Sequence, residues 1–226
     1  MATFTGFTRD AIDFLVDLAA NNDRAWFQPR KADYERLLKE PMEDLCVALA
    51  ETFAARDLPM VADPVRSPFR IYRDVRFSKD KSPYKTAVSA MFPWGDAGAR
   101  DRMGGTFHFE PGRMYAGGGM WHPEPARLTA WRALVARDPE PVHAVVDDPR
   151  FVAEAGPVTG DRLSRVPAGF PKDHPDVELL RLKDVTFGRP LSDADVQSPA
   201  LPEILVGIYA AAAPVMRLLA SLTGEA

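Results

Sequence analysis

Residues 66–86 read R-S-P-F-R-I-Y-R-D-V-R-F-S-K-D-K-S-P-Y-K-T, and this stretch is called the basic segment below. Seven lysines and arginines against two aspartates give it a net charge of +5, whereas the whole chain carries a formal net charge of −4. Guanidinium groups bind carboxylate and phosphate oxygens through pairs of hydrogen bonds. The basic segment therefore predicts a site for an anion.

Alternating side chains predict a strand in the first half of the basic segment, since β-branched and aromatic residues favour strands. The apolar positions are Phe69, Ile71, Val75 and Phe77. Arg73 falls on the apolar side of this alternation, which indicates either a bulge or burial beside a carboxylate such as Asp74 or one from elsewhere. Residues 78–83 are typical of a turn-rich loop, and residues 84–92 predict a second strand.

The motif R-x-x-R-D-x-R-F-x-x-D-K-x-x-Y runs from Arg70 to Tyr84. It resembles the signature of a family of conserved hypothetical proteins, domain of unknown function 2461. Further matching residues lie near the start and in the middle of the chain: Asn21, Asn22, Arg24, Trp26, Phe27, Gly117, Gly118, Gly119 and Trp121. The resemblance covers essentially the whole chain, and it implies kinship without naming an activity or a substrate.

Length and composition predict one globular domain over residues 1–226. Hydrophobic residues make up 46% and charged residues 27% of the chain, which is typical of globular proteins, and no long Gly/Ser linker divides it. Aspartates interrupt any signal-peptide core near the start. The apolar run 201–222 is broken by Glu203, Pro214 and Arg217, so it predicts a buried helix rather than a membrane span. We therefore expect a cytoplasmic protein with no membrane partner.

Helical and strand-like segments are grouped along the chain rather than alternating, which favours an α+β fold. Helices are predicted over residues 9–20, 31–39, 41–56, 123–137, 139–147, 149–155 and 201–222. A central, mainly antiparallel sheet is predicted over roughly residues 66–120, with a loop at 94–105 and an edge strand at 185–187. The N- and C-terminal helices are expected to pack mostly on one face of this sheet.

Three consecutive glycines, residues 117–119, interrupt a predicted strand. Glycine is tolerated in a strand where another backbone or a ligand comes close. The neighbouring Trp121 and His122 would form walls of a pocket if a ligand is the reason. The triplet therefore has a structural and a functional interpretation.

Common motifs of catalysis and metal binding do not occur in the sequence. There is no H-E-x-x-H, no G-x-S-x-G, no G-x-G-x-x-G and no G-x-x-x-x-G-K-S/T, and the four histidines are scattered. His108 and Glu110 form one alternate-residue pair, which is too little for a metal site. Cys46 is the single cysteine and is expected to serve in packing. We predict no metal, and the sequence indicates no particular cofactor.

The predicted site is a pocket for an anionic small molecule. Arg70, Arg73 and Arg76 would hold the anion, and Lys81 and Lys85 would attract it. Gly118, Gly119, Trp121 and Tyr84 would complete the binding surface. The candidates for proton transfer are Asp74, Tyr84 and His122, although arginines beside Asp74 would lower its pKa and weaken it as a base.

Two other interpretations of the basic segment stay open. In one it follows the phosphates of a nucleic acid while Trp94 or Trp121 stacks on a base, although the acidity of the whole chain disfavours this. In the other its charges form a structural ion-pair network, or a protein-interaction surface, with carboxylates such as Asp10, Asp23 or Asp33. The sequence does not distinguish an enzyme from a binding protein, nor does it indicate an oligomeric state.

Overall fold

A computed structural model describes residues 4–95 and 103–222 of the chain. Its sheet has four antiparallel strands that neighbour each other in chain order. They are β1 (Val88–Pro93), β2 (Met103–Phe109), β3 (Tyr115–Met120) and β4 (Val185–Pro190). The α+β class and the antiparallel sheet are confirmed. β2 begins at Met103, inside the range 94–105 that was predicted as a loop, and residues 96–102 of that range lie outside the described residues.

The N-terminal part consists of helices α1 (Arg9–Ala20), α2 (Arg24–Phe27), α3 (Lys31–Tyr34) and α4 (Glu40–Ala55). Thr8 caps α1 by accepting a hydrogen bond from the Ala11 N–H at 3.3 Å. A π-helical turn, Glu35–Lys39, joins α3 to α4. The two helices predicted for residues 31–56 are therefore one continuous helical run, because Pro41 lies in the first turn of α4, where its missing N–H costs little.

Among the described residues that follow the basic segment, six further helices occur. They are α5 (Pro125–Arg137), α6 (Glu140–Val146), α7 (Pro149–Ala155), α8 (Val177–Leu180), α9 (Asp193–Gln197) and α10 (Leu201–Ser221). Helix α10 packs against α4, α7 and β3. The Tyr209 hydroxyl on α10 donates to the Thr106 carbonyl of β2 at 2.8 Å, which fixes the helix to the sheet.

Helix α10 is long and apolar enough to cross a membrane by length and composition, but 56% of its most apolar window is buried inside the protein. Twelve of its residues are buried, among them Leu205, Tyr209 and Leu219. It occupies the position of a core helix, as its broken apolar pattern predicted. The cytoplasmic location stays a prediction.

The prediction of a regular strand in the basic segment is wrong. The segment forms only two isolated bridges, Pro68 with Ala90 and Tyr72 with Tyr84. Its prolines lack the N–H that a strand ladder needs, and Phe77, which the alternation placed on an apolar face, is 95% exposed. The second predicted strand, 84–92, likewise becomes regular only at Val88.

The basic segment instead folds into an irregular hairpin beside β1. The Phe69 N–H donates to the Ser89 carbonyl at 2.8 Å, and the Lys85 N–H donates to the Ile71 carbonyl at 2.8 Å. The first of these bonds ties the hairpin to the outer edge of β1. The charged side chains of the basic segment therefore lie near that edge rather than on the face of a regular sheet.

The glycine triplet is explained by close approach of backbone. A Cβ atom on Gly117 would lie 2.3 Å from the Phe187 carbonyl oxygen, and one on Gly119 would lie 2.2 Å from that of Val185. Gly119 also has a φ of +118°, which side chains disfavour. β3 therefore needs glycine in order to pair with β4, and this accounts for the triplet without a ligand.

Candidate functional site

A hollow of about 590 Å³, the central hollow, opens between the basic segment, the end of α1 and the sheet. Its polar lining residues are Asn22, Arg73, Asp80, Ser82, Lys85, Thr86, Ser89, His108 and Glu110. A smaller hollow of about 200 Å³, the side hollow, shares Phe69 and Ser89 with it and is lined by Arg70. Two cations, a histidine and two carboxylates thus line the central hollow.

Asn22 attaches the basic segment to the N-terminal helices. Its amide nitrogen donates to the Tyr84 carbonyl at 3.0 Å, and its amide oxygen accepts from the Tyr84 N–H at 3.1 Å. The Tyr84 ring is buried and stacks on Phe27 with 4.0 Å between ring centroids. Tyr84 was predicted as a ligand or proton donor, whereas its packing makes it a wall of the hollow. Asp23 caps α2 by accepting from the Trp26 N–H at 2.8 Å.

Arg73 lies in the central hollow and forms an ion pair with Asp80. Asp80 also accepts hydrogen bonds from the Ser82 hydroxyl at 2.6 Å and from the Ser82 N–H at 2.9 Å. These Ser82 donors, together with the Arg73 guanidinium, hold the pKa of the Asp80 carboxyl well below its usual range. The misfit of Arg73 in the alternation is thus explained by a carboxylate partner, but that partner is Asp80 and not Asp74.

The predicted convergence of three arginines is wrong. Arg76 binds Asp74 through a two-bond fork, with Nη2 at 2.7 Å from Oδ2 and Nε at 3.0 Å from Oδ1. Both side chains are exposed, and neither is among the lining residues of the two hollows. The Arg76 guanidinium lowers the pKa of Asp74, which makes this carboxylate a weak base. Arg70 and Arg73 line different hollows, so the structure does not bring all three arginines to one place.

Lys85 lies in the central hollow beside Phe69, with its Nζ 5.2 Å from the ring centroid. Burial of the ammonium, and secondly the positive charge of Arg70, lower the pKa of Lys85. Within residues 4–95 and 103–222, no carboxylate lies within ion-pair distance of Lys85 or Arg70. Lys81 differs from Lys85 in that it is exposed, and its Nζ donates a hydrogen bond to the Val75 carbonyl at 2.9 Å.

A serine, a histidine and a glutamate form a hydrogen-bonded chain in the same hollow. Ser89 on β1 lies directly opposite His108 on β2, and its Oγ is 2.9 Å from His108 Nδ1. His108 Nε2 is 3.3 Å from Glu110 Oε2, and the Thr86 hydroxyl donates to Glu110 Oε1 at 2.8 Å. This Ser89–His108–Glu110 chain contains the elements of a nucleophile with a general base.

Sequence reasoning missed this chain. The H-x-E spacing on a strand places His108 and Glu110 on one face, but in the sequence alone it indicates no more than an incomplete metal pair. The serine partner depends on the β1–β2 register, which no local motif indicates. The His108 ring is further held by Tyr115, with 4.9 Å between ring centroids in a stacked arrangement.

The other predicted site residues, Gly118, Gly119, Trp121 and His122, are not among the lining residues of either hollow. The His122 N–H donates to the buried Asp184 carboxylate at 2.6 Å. Trp121 is 57% exposed, and its ring centroid lies 4.3 Å from that of His122. The glycines lie against neighbouring strands and Phe187. The structure therefore does not bring these residues to the arginines and lysines, and their role in ligand binding stays a prediction.

No group of three or more His, Cys, Asp or Glu side chains that could hold a metal ion occurs in the described part of the chain. The side chains of the central hollow supply positive charge from Arg73 and Lys85, negative charge from Asp80 and Glu110, a hydroxyl from Ser89 and an imidazole from His108.

Comparison with known proteins matches the chain to one family model. The model, described as "Conserved hypothetical protein (DUF2461)", covers residues 10–218. This range includes the basic segment, both hollows and nearly all of α10. No curated protein and no solved structure matches the chain.

Proposed function

The chain belongs to the DUF2461 family of conserved hypothetical proteins, and on that premise we propose that it binds a small anionic ligand in the central hollow. The ligand carries a carboxylate or a phosphate. Lys85 and Arg73 contact its charged group, and Arg70 adds positive charge from the side hollow. This assignment keeps Arg70, Arg73 and Lys85 of the predicted set and leaves out Arg76 and Lys81, which line neither hollow.

One observation carries the proposal: Lys85 is a partly buried cation that has a second cation as its charged neighbour. Burying an ammonium without a carboxylate costs free energy, and Arg70 adds to that cost. A bound anion would offset both contributions at once. Natural proteins keep such unfavourable arrangements where function requires them.

The two alternative interpretations account for less of the geometry. A structural ion-pair network explains Arg73 with Asp80 and Arg76 with Asp74, and it gives Arg70 a longer-range attraction to Asp74, but it gives no carboxylate partner to Lys85. For nucleic-acid binding, Trp94 is only 4% exposed and is unavailable for base stacking, and Trp121, although 57% exposed, lines neither hollow beside the basic segment. The anionic small molecule therefore remains the best supported ligand.

Thermal unfolding with added anions tests the proposal. The probes are inorganic phosphate and succinate, with chloride at equal ionic strength as the reference. We expect phosphate or succinate to stabilise the wild type, by about 2.7 kcal/mol when the anion is at 100 times its dissociation constant. Lys85→Met should lose this effect. Lys79→Met is the matched control, because Lys79 is an exposed cation of the same segment that lines neither hollow.

Two results would contradict the proposal. One is a wild type that neither phosphate nor succinate stabilises beyond chloride. The other is equal stabilisation of Lys85→Met and the wild type, since the cation in the hollow would then be irrelevant. Equal loss in Lys79→Met would show that the response comes from the overall charge of the segment rather than from the hollow.

A further inference from the structure

The hydrogen-bonded chain in the central hollow suggests a reaction as well as a binding site. We propose that Ser89, His108 and Glu110 hydrolyse an ester whose acyl part carries an anionic group, with Ser89 as the nucleophile. The serine chemistry stands on the geometry of these three residues. The preference for an anionic substrate rests on the proposed function.

The three side chains face the hollow and not the core. They lie on the face of β1 and β2 opposite to the buried residues Val88, Ala90, Phe107 and Phe109. His108 and Glu110 are still largely shielded, with 17% and 27% of their side-chain surfaces exposed. A shielded imidazole that opens onto a hollow can exchange protons with a bound substrate without being freely solvated.

The hydrogen bonds set the role of each residue. Ser89 Oγ, 2.9 Å from His108 Nδ1, is within reach for proton transfer to the imidazole. Either ring nitrogen can act as the base while the other donates its proton to a partner. Glu110 accepts from Nε2 and so holds the tautomer in which Nδ1 is free to act as the base. Thr86 in turn orients Glu110.

The reaction balances without a cofactor. Ser89 Oγ attacks the ester carbonyl carbon while His108 Nδ1 takes the hydroxyl proton. The tetrahedral intermediate then breaks the bond to the alkoxide, which leaves as an alcohol with the proton from His108. A water molecule attacks the acyl-serine, again with His108 as the base, and the carboxylic acid leaves as Ser89 regains its proton. Arg73 and Lys85 supply positive charge to the same hollow, where negative charge develops.

Covalent labelling tests the serine directly. The wild type is treated with a fluorophosphonate probe, whose phosphorus is attacked by an activated serine with loss of fluoride, and its intact mass is measured. We expect one adduct, located on the peptide that contains Ser89, and none in Ser89→Ala. Ser221→Ala is the matched control, because its hydroxyl bonds the Leu218 carbonyl on the last turn of α10 and lies outside the hollow. It should label like the wild type.

Ester hydrolysis then separates catalytic from structural roles. The substrates are 4-nitrophenyl acetate, which is neutral, and 4-nitrophenyl hemisuccinate, which carries a carboxylate. We expect His108→Gln to lower kcat by roughly 100-fold or more, in line with the usual contribution of a general base. Glu110→Gln should lower kcat and change the pH profile, while circular dichroism shows that both variants are folded.

The outcomes distinguish the two proposals. If the wild type forms no adduct, or if Ser89→Ala is labelled equally, the hydrolase proposal is overturned even when phosphate stabilises the protein. If Ser89 is labelled but the hemisuccinate is hydrolysed no faster than the acetate, and Lys85→Met changes neither rate, the anion site is overturned and the serine chemistry stands. Faster hydrolysis of the hemisuccinate that is lost in Lys85→Met supports both.

Discussion

The side-chain amide of Asn22 binds the backbone of Tyr84 through two hydrogen bonds, at 3.0 and 3.1 Å, across 62 positions of sequence. The amide thereby acts on Tyr84 as a neighbouring strand would. It connects the N-terminal helices to the irregular hairpin of the basic segment. One wall of the central hollow depends on this contact, because Asn22 and Tyr84 both line it.

Asn22→Ala should therefore lower the free energy of unfolding by about 1–3 kcal/mol, the usual cost of leaving buried polar groups unsatisfied. Asn21→Ala is the matched control. The Asn21 side-chain amide makes one exposed hydrogen bond, to the backbone carbonyl of Asp17 in α1. This variant should change the free energy of unfolding by less than about 0.5 kcal/mol. Urea unfolding measures both values. Equal losses in the two variants would show that the Asn22 contact has no special role.

Lys85→Met should leave the unliganded protein at least as stable as the wild type. Burial and the neighbouring Arg70 lower the pKa of Lys85 in the fold, so the charged form opposes folding. This cost is present below the lowered pKa and disappears as the pH rises toward the ordinary pKa of lysine. The stability difference between variant and wild type should therefore shrink as the pH rises through the lowered pKa toward the ordinary pKa of lysine. A Lys85→Met protein that is clearly less stable at pH 7 would contradict this account.

His143 should make the stability of the protein depend on pH. It lies 2.6 Å from Asp147 and 2.8 Å from Asp176, and these carboxylates, Asp147 first, raise its pKa. A raised folded-state pKa contributes stability that is fully present below the ordinary histidine pKa and is lost as the pH rises through the raised value. The wild type should lose more stability than His143→Gln between pH 6 and pH 8, as followed by thermal unfolding. Parallel curves would show that His143 does not titrate with folding.

Cys46 should be unreactive in the folded protein. Its side chain is fully buried, and burial raises the pKa of the thiol to about 12. Since the thiolate is the reactive form, a disulfide reagent at pH 8 should modify Cys46 in urea but not in buffer. Complete and rapid modification of the native protein would mean that α4 opens readily or is packed differently.

The helices were predictable because their patterns are local. Residues 9–20 and 149–155 form helices at the expected boundaries, since caps, proline positions and apolar spacing act over only a few residues. The same kind of local pattern gave a wrong prediction for the basic segment. Its alternation resembles a strand, but Pro68 and Pro83 disrupt the ladder, and the exposure of Phe77 was not visible in the pattern.

The candidate site was predictable in its charge and not in its geometry. The excess of cations in residues 66–86 indicated an anion site, and Lys85 and Arg73 do line a hollow. Local pairing of Asp74 with Arg76 and of Asp80 with Arg73 removed part of that charge at distances that sequence spacing does not fix. Ser89 and His108 meet only through the register of two strands.

Lys85 lies in the central hollow with no carboxylate at ion-pair distance among the described residues, and we propose that a bound anion compensates its charge. NMR titration of the Lys85 side-chain resonances, assigned with Lys85→Met, measures its pKa with and without saturating phosphate or succinate. We expect a Lys85 pKa below the ordinary lysine value in the free protein and a rise toward that value when the anion is bound. A Lys85 pKa at the ordinary lysine value, unchanged by either anion, would contradict the proposed anion site.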